Sequence, residues 1–496
     1  MTRLLGRALL TLACITPLAA GAQGFFLPAD DSRIRDDLSL LVDEGVINLP
    51  VNEWPLPAVD VADAISRVNE DSLLDSALRA ALQRLRLRTT PRSDAGDWQL
   101  HEVRVTAGQP GLLRHEATLG RENGELRTMG GATTDRWSMN VSATGVLDPQ
   151  DGKHVRADGT EVTVRWGNWL FSANQVDRWW GPGHDGSLIL STNARSMPGV
   201  SLDRLHSTPI DFPVLRWLGP WRFSGFLSVM ENDRPDVDRP LFMGMRLSFK
   251  PAPIFEFGLS RSAQFCGKGR TCNFSTFGRM LIGQDNAGRR GLNDPADEPG
   301  NQMAGADMRI VSPFHVLPLA VYGQLIGEDN SDTGIPERYL GLFGAETWWM
   351  LENGSTLRAR LEYANTKCKW YDSMEFFDCA YRQGIFNAGY RYHTRNIGHT
   401  TDTDSETTGV TVTLTRKDGS RWAAIWRHGN LDRAVTADPN NPLTKGRSTF
   451  YSGELSWEGE VVKQKLGLQF GYEKRSPATG TSESGVYGSI QWRKPL

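Results

Sequence analysis

The sequence predicts an all-β transmembrane barrel of about eighteen antiparallel strands, preceded by a small α-helical bundle. Three observations support this prediction. Near Gln99 the spacing of apolar residues changes from helical to alternating. The strands that follow run to roughly nine to eleven residues, which is the length that crosses a bilayer. Short connections between strands alternate with long ones, as they do in outer-membrane barrels.

The alternating stretches have one apolar face and one face of charge and glycine. The clearest examples are residues 241–249, 357–363, 410–414 and 465–473. A soluble sandwich would turn the polar face to water, but Arg, Glu and Lys recur in mid-strand, where a barrel has its polar lumen. Aromatic residues near strand ends resemble interfacial girdles, and these are Trp217, Trp221, Trp348, Trp349, Trp457 and Trp492.

The lengths of the connections predict the end of the barrel at which each one lies. Tight turns fall at residues 218–220, 250–253, 352–354 and 417–419, and long polar connections at residues 231–240, 262–303, 328–338, 365–403 and 429–446. Short turns are periplasmic and long loops are extracellular. Counting back from a last strand at residues 485–493 predicts that both chain ends are periplasmic.

The N-terminus has the features of an export signal. Arg3 and Arg7 supply positive charge, residues 9–18 form an apolar core, and residues 20–22 form a small-residue cleavage site. The predicted division is a signal peptide at 1–22, a periplasmic helical bundle at 23–95 and an outer-membrane barrel at 96–496. Cys14 leaves a lipoprotein as an alternative, although the residues before it are a poor lead-in for acylation.

Three short amphipathic helices are predicted within the bundle. The first carries Ile34 and stops at Gly45, the second is capped by Asp60, and the third is capped by Asp71 or Ser72. Helices this short cannot bury their apolar faces alone. They must therefore pack on one another and on a larger body.

Composition narrows the possible functions. The net charge is −3 and both signs are interspersed, so nucleic acid is not expected as a partner. The hydrophobic content of 39% is low for a buried multi-domain enzyme and suits a sheet with two different faces. The 51 glycines and 16 tryptophans fit turn-rich β structure with interfacial aromatics.

Four cysteines follow Cys14 in two close pairs, Cys266 with Cys272 and Cys368 with Cys379. An exported chain meets an oxidising compartment, so two local disulfides are favoured among the three possible pairings. Neither pair has His or Cys companions at metal-ligand spacing. The sequence therefore predicts no metal and no other cofactor.

Residues 174–203, here called the tryptophan segment, concentrate unusual residue types. The motif within it is Trp179, Trp180, Gly181, Pro182, Gly183, His184 and Asp185. Aromatic faces beside polar side chains suit a sugar, but buried aromatics mostly serve packing. The strand count places residues 174–185 on the periplasmic side, so we expect the motif to join the barrel to the helices.

The external loops are the predicted site of glycan contact. The candidate residues are Arg270, Arg279, Arg289, Trp370, Tyr371, Phe377, Tyr381 and Arg382. Aromatic rings on a disulfide-closed loop are pre-organised for stacking on sugars, and arginines can pair with uronate carboxylates. The alternatives are that the rings pack on the barrel rim and that the arginines attract lipopolysaccharide phosphates.

Several stretches together resemble the Wzi family of outer-membrane capsule-assembly proteins. They are RIRDDLSLLVDEGVINLPVNEWPLP, WWGPGHDGSLILS, FCGKGRTC, DNAGRRGLNDPADEPGNQMAG and GIFNAGYRYHTRNIGHTTDTD. The resemblance implies an eighteen-stranded barrel whose periplasmic mouth holds the helices. It also implies a lectin-like protein that holds secreted capsular polysaccharide or another exopolysaccharide on the cell surface. One departure is the end of the chain, Arg493-Lys494-Pro495-Leu496, where such barrels commonly have an aromatic residue.

Two rival functions can be tested against this expectation. A porin would share the barrel but have an open pore. A glycoside hydrolase would need two carboxylates facing one bond, and Asp177, Asp185 and Asp203 are the nearest candidates without any pairing that singles out two of them. We expect a protein that is not an enzyme, a monomer surrounded by outer-membrane lipid and lipopolysaccharide. Whether a polysaccharide export channel lies beside it stays open.

Overall fold

The computed structural model describes residues 24–89, 96–281, 300–314, 316–330, 336–372, 376–434, 436 and 438–495. Its main body is a closed antiparallel barrel in which the last strand pairs with the first. Within the described ranges eighteen strands form the wall, as predicted, and the fourth is interrupted once. The signal peptide predicted for residues 1–22 lies outside the described residues.

The strands follow one another around the wall in sequence order. The first nine are β1 (Gln99–Gln109), β2 (Gly124–Thr133), β3 (Trp137–Leu147), β4 (Val155–Arg156 and Glu161–Trp166), β5 (Trp169–Asn174), β6 (Gly199–Arg204), β7 (Trp221–Val229), β8 (Leu241–Ala252) and β9 (Phe255–Phe265). The other nine are β10 (Gly300–Val311), β11 (Leu319–Asn330), β12 (Pro336–Met350), β13 (Thr356–Asn365), β14 (Glu406–Thr415), β15 (Arg421–Leu431), β16 (Ser448–Val461), β17 (Gln464–Pro477) and β18 (Glu483–Pro495). The last strand runs to Pro495 and therefore includes Arg493, Lys494 and Pro495, which belong to the chain end that departs from the usual pattern.

The alternation in the sequence reflects the two environments of the wall. In β13 the side chains of Arg360 and Glu362 are buried in the lumen, whereas Leu361 between them is 52% exposed on the outer surface. Successive residues of a strand point to opposite faces, so charged residues line the inside and apolar residues face lipid.

Between residues 24 and 89, three helices precede the barrel: α1 (Ser32–Asp43), α2 (Ala58–Ser66) and α3 (Ser76–Thr89). The Asp31 side chain caps α1 by accepting the N–H of Ile34 at 3.2 Å, and Gly45 follows the end of α1 with a φ of 69°. The predicted caps of the other helices are wrong. Asp60 lies inside the first turn of α2, and α3 begins only at Ser76, because residues 70–72 form a separate 3-10 turn.

None of the helices in the described ranges has the length and apolarity needed to cross a membrane.

The helices lie at the barrel end that carries the short turns. The Ser76 hydroxyl donates to the carbonyl of Glu352 at 3.2 Å, and the Arg84 guanidinium donates to the carbonyl of Lys417 at 3.1 Å. Both acceptors belong to turns predicted to be periplasmic. The long connections leave from the opposite end and carry the disulfides Cys266–Cys272 and Cys368–Cys379, paired as predicted.

Buried ion pairs fasten α1 to the barrel wall. The Glu346 carboxylate of β12 accepts hydrogen bonds from Arg309 at 3.1 Å, Arg358 at 2.8 Å and Arg360 at 3.2 Å. Arg309 and Arg358 also donate to Asp43 of α1, at 2.6 and 2.8 Å. The charged inner face of these strands is thus the surface on which α1 docks.

The lumen is filled from both ends. From the periplasmic side, apolar residues of the three helices and of the segment between α1 and α2 form one core that includes Leu38, Trp54 and Leu82. From the extracellular side, residues 175–198, 366–372 and 376–405 contribute side chains to a second core. The two cores meet along the tryptophan segment, since Trp179 belongs to the first and Trp180 to the second.

The prediction of an aromatic girdle is confirmed only in part. Trp217 and Trp349 are exposed on the outer surface, where interfacial tryptophans belong. Trp348 does not belong to the girdle, because it is 2% exposed and its indole N–H donates to Glu44 at 2.6 Å. Trp349, the next residue of β12, faces lipid because adjacent residues of a strand point to opposite sides of the wall.

Candidate functional site

The tryptophan segment runs from the end of β5 through the connection at residues 175–198 and into β6. Its predicted periplasmic position is wrong, because β5 ascends and residues 175–198 leave its extracellular end. The chain then turns down into the lumen, where Trp179 pairs with Trp54 between α1 and α2. Two features made this position hard to predict from the sequence. Strands β5 and β6 have only six residues each, and the periplasmic connection at residues 205–220 is longer than a tight turn.

Both tryptophan rings of the motif are buried in the hydrophobic cores. The indole N–H of Trp179 donates to the carbonyl of Gly183 at 2.9 Å, and the Arg35 guanidinium lies 5.1 Å from its ring centroid. Trp180 packs on Phe226 with ring centroids 5.5 Å apart. The segment therefore connects the barrel to the helices, as expected, but it reaches them from the extracellular end.

The glycines of the motif allow close packing around the turn. A Cβ on Gly181, whose φ is 127°, would lie 2.6 Å from the amide nitrogen of Gln324. A Cβ on Gly183 would lie 2.3 Å from the carbonyl oxygen of Gly186. Only glycine fits where the backbone approaches its neighbours this closely.

The polar groups of the motif are committed to structural bonds. The Glu362 carboxylate accepts the N–H groups of His184 at 2.9 Å and Asp185 at 3.0 Å. His184 Nδ1 lies 3.0 Å from Glu116. Burial opposes the charge of Glu116, but His184, Arg35 and Arg360 together lower the pKa of that carboxyl. Burial likewise opposes the charge of Asp185, and Arg427, which donates to it at 2.6 Å, lowers its pKa.

The carboxylates considered for a hydrolase are also held in place. Asp177 accepts from Arg121 at 3.2 Å, and Asp203 accepts from Ser224 at 2.7 Å. Asp185 is bound to Arg427, as described. Each carboxylate serves a separate contact, so the three provide no acid and base pair of the kind that glycosidases use.

Part of the connection between β13 and β14 belongs to the extracellular core. Tyr381 is fully buried, and its hydroxyl donates to the carbonyl of Leu188 at 2.7 Å. The hydroxyl of Tyr390 donates to the carbonyl of Ile189 at 2.9 Å, and the two tyrosine rings stack 5.7 Å apart. The prediction that Tyr381 contacts glycan is therefore wrong, because its ring is locked against the tryptophan segment.

The disulfide-closed part of this connection, residues 368–379, is here called the aromatic loop. Trp370 packs edge-on against Phe343 at the rim, with ring centroids 5.3 Å apart. Tyr371 is 55% exposed and lies 5.8 Å from Trp370. The Arg338 guanidinium stands 4.5 Å from the centroid of Phe376. Trp370 thus serves rim packing, the predicted alternative, while Tyr371 offers a ring to the outside.

Two further predicted residues lie in or beside the aromatic loop. The Lys367 ammonium is 5.6 Å from the ring of Phe377, and Arg382 forms an ion pair with Asp378. The structure therefore places Trp370, Tyr371 and Phe377 on one disulfide-closed stretch of the extracellular rim, with Arg382 directly beside it.

The predicted basic residues lie elsewhere on this end. Arg270 lies within the Cys266–Cys272 loop and is half-buried, and its backbone N–H donates to the carbonyl of Gly267 at 3.1 Å. A helix, α4 (Phe274–Leu281), comes next. The side chain of Arg279 and the whole of Arg289 lie outside the described part of the chain, so their roles stay predictions.

Reduction of Cys266–Cys272 should loosen one extracellular loop and leave the barrel folded. The bridge spans a sequence separation of six residues and constrains only the start of that loop, whereas the wall is closed by strand pairing. Heat-modifiable gel migration should survive reduction, while limited proteolysis after Cys266 accelerates. Loss of the compact gel form on reduction would contradict this expectation.

Sequence reasoning missed a second cluster of polar and aromatic residues at the extracellular end. The rings of Tyr392 and His393 lie 4.4 Å apart at the tip of a short hairpin. Burial and the nearby Arg195 lower the pKa of His393, and Arg195 itself donates to Asp158 at 2.9 Å. The alternating aromatic and basic residues at positions 390–393 were the signal that could have indicated it.

The architecture defines a class of protein: an outer-membrane β-barrel whose lumen is closed by helices from one end and by re-entrant loops from the other. Residues 103–478 match the family model described as capsule assembly protein Wzi. The chain belongs to the Wzi family of capsule assembly proteins.

Comparison with individual proteins agrees with this assignment. The chain is similar to Wzi of Escherichia coli, described as an outer-membrane protein involved in group 1 capsule assembly and as a carbohydrate-binding β-barrel. That structure is 26% identical with a TM-score of 0.81, over 95% of this chain and 99% of the other. An uncharacterized 55.8 kDa protein from the cps region of Klebsiella pneumoniae is 30% identical over 69% of this chain, and the match spans 66% of its own length.

Proposed function

We propose that this protein binds secreted capsular polysaccharide, or a related exopolysaccharide, on its extracellular loops and holds it at the cell surface. The observation that carries the proposal is the aromatic loop, where Tyr371 is exposed beside Trp370 on a disulfide-closed frame. Sugar C–H faces stack on such rings. A loop closed by a disulfide loses less conformational entropy on binding than an open loop does.

Positive charge beside the aromatic loop favours an acidic polysaccharide. Arg382 and Lys367 flank the aromatic residues, and a guanidinium can bind a uronate carboxylate through two hydrogen bonds. The similarity to the carbohydrate-binding barrel of Escherichia coli supports a glycan ligand. We propose a binding protein and not an enzyme.

The filled lumen supports binding over transport. Two apolar cores and the ion pairs around Glu346 occupy the space through which a porin would conduct. Planar bilayers containing the intact protein should show no large ohmic steps. We further propose that the chain is exported by the signal at residues 1–22 and acts as a monomer among outer-leaflet lipids.

A strain that lacks the protein tests the proposed function directly. It should make polysaccharide at the normal total level but release most of it into the medium, because the surface anchor is missing. Polysaccharide is measured separately in washed cells and in culture supernatant, and the wild-type chain supplied in trans should restore the cell-bound fraction. An unchanged cell-bound fraction in the deletion strain would overturn the proposal.

The double change Trp370→Ala and Tyr371→Ala should weaken polysaccharide retention while the barrel stays folded. It removes the exposed ring and its support from the rim, which corresponds to about 1–3 kcal/mol of lost stacking and packing. Trp422→Ala is the matched control, since Trp422 is exposed on the outer wall near the periplasmic end. Equal polysaccharide retention by the double variant and the control would show that the aromatic loop is not part of the binding site.

A further inference from the structure

Two buried carboxylates lie side by side at the extracellular end of the barrel. Asp404 belongs to the connection between β13 and β14, Asp432 directly follows β15, and both are 0% exposed. The N–H of Arg433 donates to the carbonyl of Asp404 at 2.9 Å. The N–H of Asp432 donates to the hydroxyl of Ser405 at 3.1 Å. These two bonds join the segments, and Asp404 with Asp432 is here called the carboxylate pair.

Three oxygens of the carboxylate pair accept no hydrogen bond from the described part of the chain. They are Oδ1 of Asp404 and both oxygens of Asp432. The remaining oxygen, Oδ2 of Asp404, accepts the N–H of Asp378 at 3.0 Å and the Thr403 hydroxyl at 3.1 Å. The N–H of Asp438 lies near Asp432 but does not reach hydrogen-bonding geometry. Since buried polar atoms nearly always have a partner, these oxygens are suited to a ligand.

Among the described residues, Asp432 is the one carboxylate whose two oxygens are both buried without a hydrogen-bond donor. The side chains around it leave an excess of negative charge. Asp402 and Asp438 oppose its ionisation, and Arg391 donates to both of them, at 2.7 and 2.6 Å, so one guanidinium serves two carboxylates. Arg382 favours the charge of Asp432 but is already ion-paired beside the aromatic loop. The ligand that fits this place is therefore a cation.

The electrostatics of the carboxylate pair support the same conclusion. In the chain without a cation, burial raises the pKa of Asp404 to about 7, and the charge of Asp432 adds to that rise. Burial and the charge of Asp438 raise the pKa of Asp432 to about 6. Two buried carboxyls that oppose each other's ionisation are stabilised in their charged forms by a positive ion between them.

We propose that the carboxylate pair binds a divalent cation, with Ca²⁺ as the expected ion. Both oxygens of Asp432 and Oδ1 of Asp404 would be its ligands. Calcium takes roughly six to eight oxygen ligands in flexible geometry and accepts both oxygens of one carboxylate. Magnesium demands octahedral geometry and usually keeps several waters, for which this fully buried pair leaves little room. The prediction of no metal considered the cysteine pairs alone and did not test carboxylates.

A cation bound here would tie the aromatic loop to the barrel rim. Asp404 already holds the N–H of Asp378, which lies in the aromatic loop, and the Thr403 hydroxyl donates to the carbonyl of Ala380 at 2.7 Å. Asp432 belongs to the end of β15, so the ion would join that strand to the base of the loop. The site goes beyond the proposed function, because it binds the ion whether or not the loop binds polysaccharide.

The full chain in detergent tests the proposal after EDTA treatment and exchange into chelator-free buffer at neutral pH. Titration with CaCl₂, followed by isothermal calorimetry, should show one Ca²⁺ per chain. Asp432→Asn should weaken calcium binding at least tenfold, because the amide keeps one acceptor oxygen but loses the charge. This variant should fold, since it relieves repulsion within the carboxylate pair. Asp233→Asn, at a carboxylate that is 55% exposed on another extracellular loop, is the matched control and should bind Ca²⁺ like the wild type.

Hydrogen exchange gives a second measurement that does not depend on the heat of binding. CaCl₂ should slow exchange of the Asp378 amide about tenfold in the wild type and leave it unchanged in Asp432→Asn. No saturable calcium binding by the wild type, or equal calcium affinity of the wild type and Asp432→Asn, would overturn the proposal. Binding of MgCl₂ as tight as that of CaCl₂ would contradict the choice of ion. Cell-bound polysaccharide, scored on the same variants, reports on the proposed function separately.

Discussion

Glu346→Ala should release the helical bundle from the barrel wall. The substitution leaves Arg309, Arg358 and Arg360 buried in the lumen without the carboxylate that all three share. Removing one partner from a buried ionic cluster costs about 3–5 kcal/mol, because the remaining charges keep their desolvation penalty. The loss should fall on docking of α1, which the same arginines hold through Asp43.

Hydrogen exchange of the α1 amides in detergent micelles measures this change. The free energy of local opening of α1 should fall by about 3–5 kcal/mol, while the strand amides remain protected because each strand is paired on both sides. Glu352→Ala, at an exposed carboxylate in the adjacent periplasmic turn, should leave exchange of α1 unchanged. If α1 in Glu346→Ala were as protected as in the wild type, the ionic cluster would not be what docks it.

Much of the barrel could be predicted from the sequence because the membrane imposes a simple rule on its wall. In β13, Leu361 must face lipid and Arg360 the lumen, and that alternation is visible in the residues. Connection lengths then locate both disulfides at the extracellular end. The rule fails at β5 and β6, which are too short to stand out, and the position predicted for the tryptophan segment was wrong for that reason.

The candidate site was harder to predict, because a filled lumen removes the usual contrast between core and surface. Tyr371 and Tyr381 lie in the same connection, ten positions apart, yet Tyr371 is exposed and Tyr381 is fully buried. Which ring turns inward depends on the path of the chain after Cys379, and that path is set by contacts with Leu188 far away in sequence. The residue types around Tyr381 in the sequence do not indicate such a contact.

Acidification should weaken the contact between the two re-entrant loops through His399. Its ring is buried, with Nδ1 2.7 Å from the Thr401 hydroxyl and no room for a Cβ on Gly186 beside it. Burial, with a smaller contribution from Arg427, lowers the pKa of His399 to about 4, against roughly 6.5 in an unfolded chain. Between these pH values His399 is therefore mostly neutral in the folded state and mostly protonated in the unfolded state.

The sign of the pH effect follows from that difference. Stability from neutral His399 is fully present above pH 6.5 and is lost as the pH falls toward 4, by about 3 kcal/mol in all. Asp404 and Asp432 act in the opposite sense, since burial raises the pKa of their carboxyls to about 7 and about 6. Their protonated forms are favoured in the folded state, so they add stability as the pH falls through the same window.

His399→Gln isolates the histidine from these opposing carboxyls, because the amide can bond Thr401 but does not titrate. Thermal unfolding followed by tryptophan fluorescence should show wild type losing more stability than the variant between pH 7.5 and pH 4, by about 3 kcal/mol. Asp432→Asn is the complementary control and should steepen the acid loss, since it removes a group that stabilises at low pH. If the stability of wild type and of His399→Gln fell in parallel with pH, the pKa of the imidazole would be the same in the folded and unfolded states. The proposed weakening of the loop contact by acid would then be wrong.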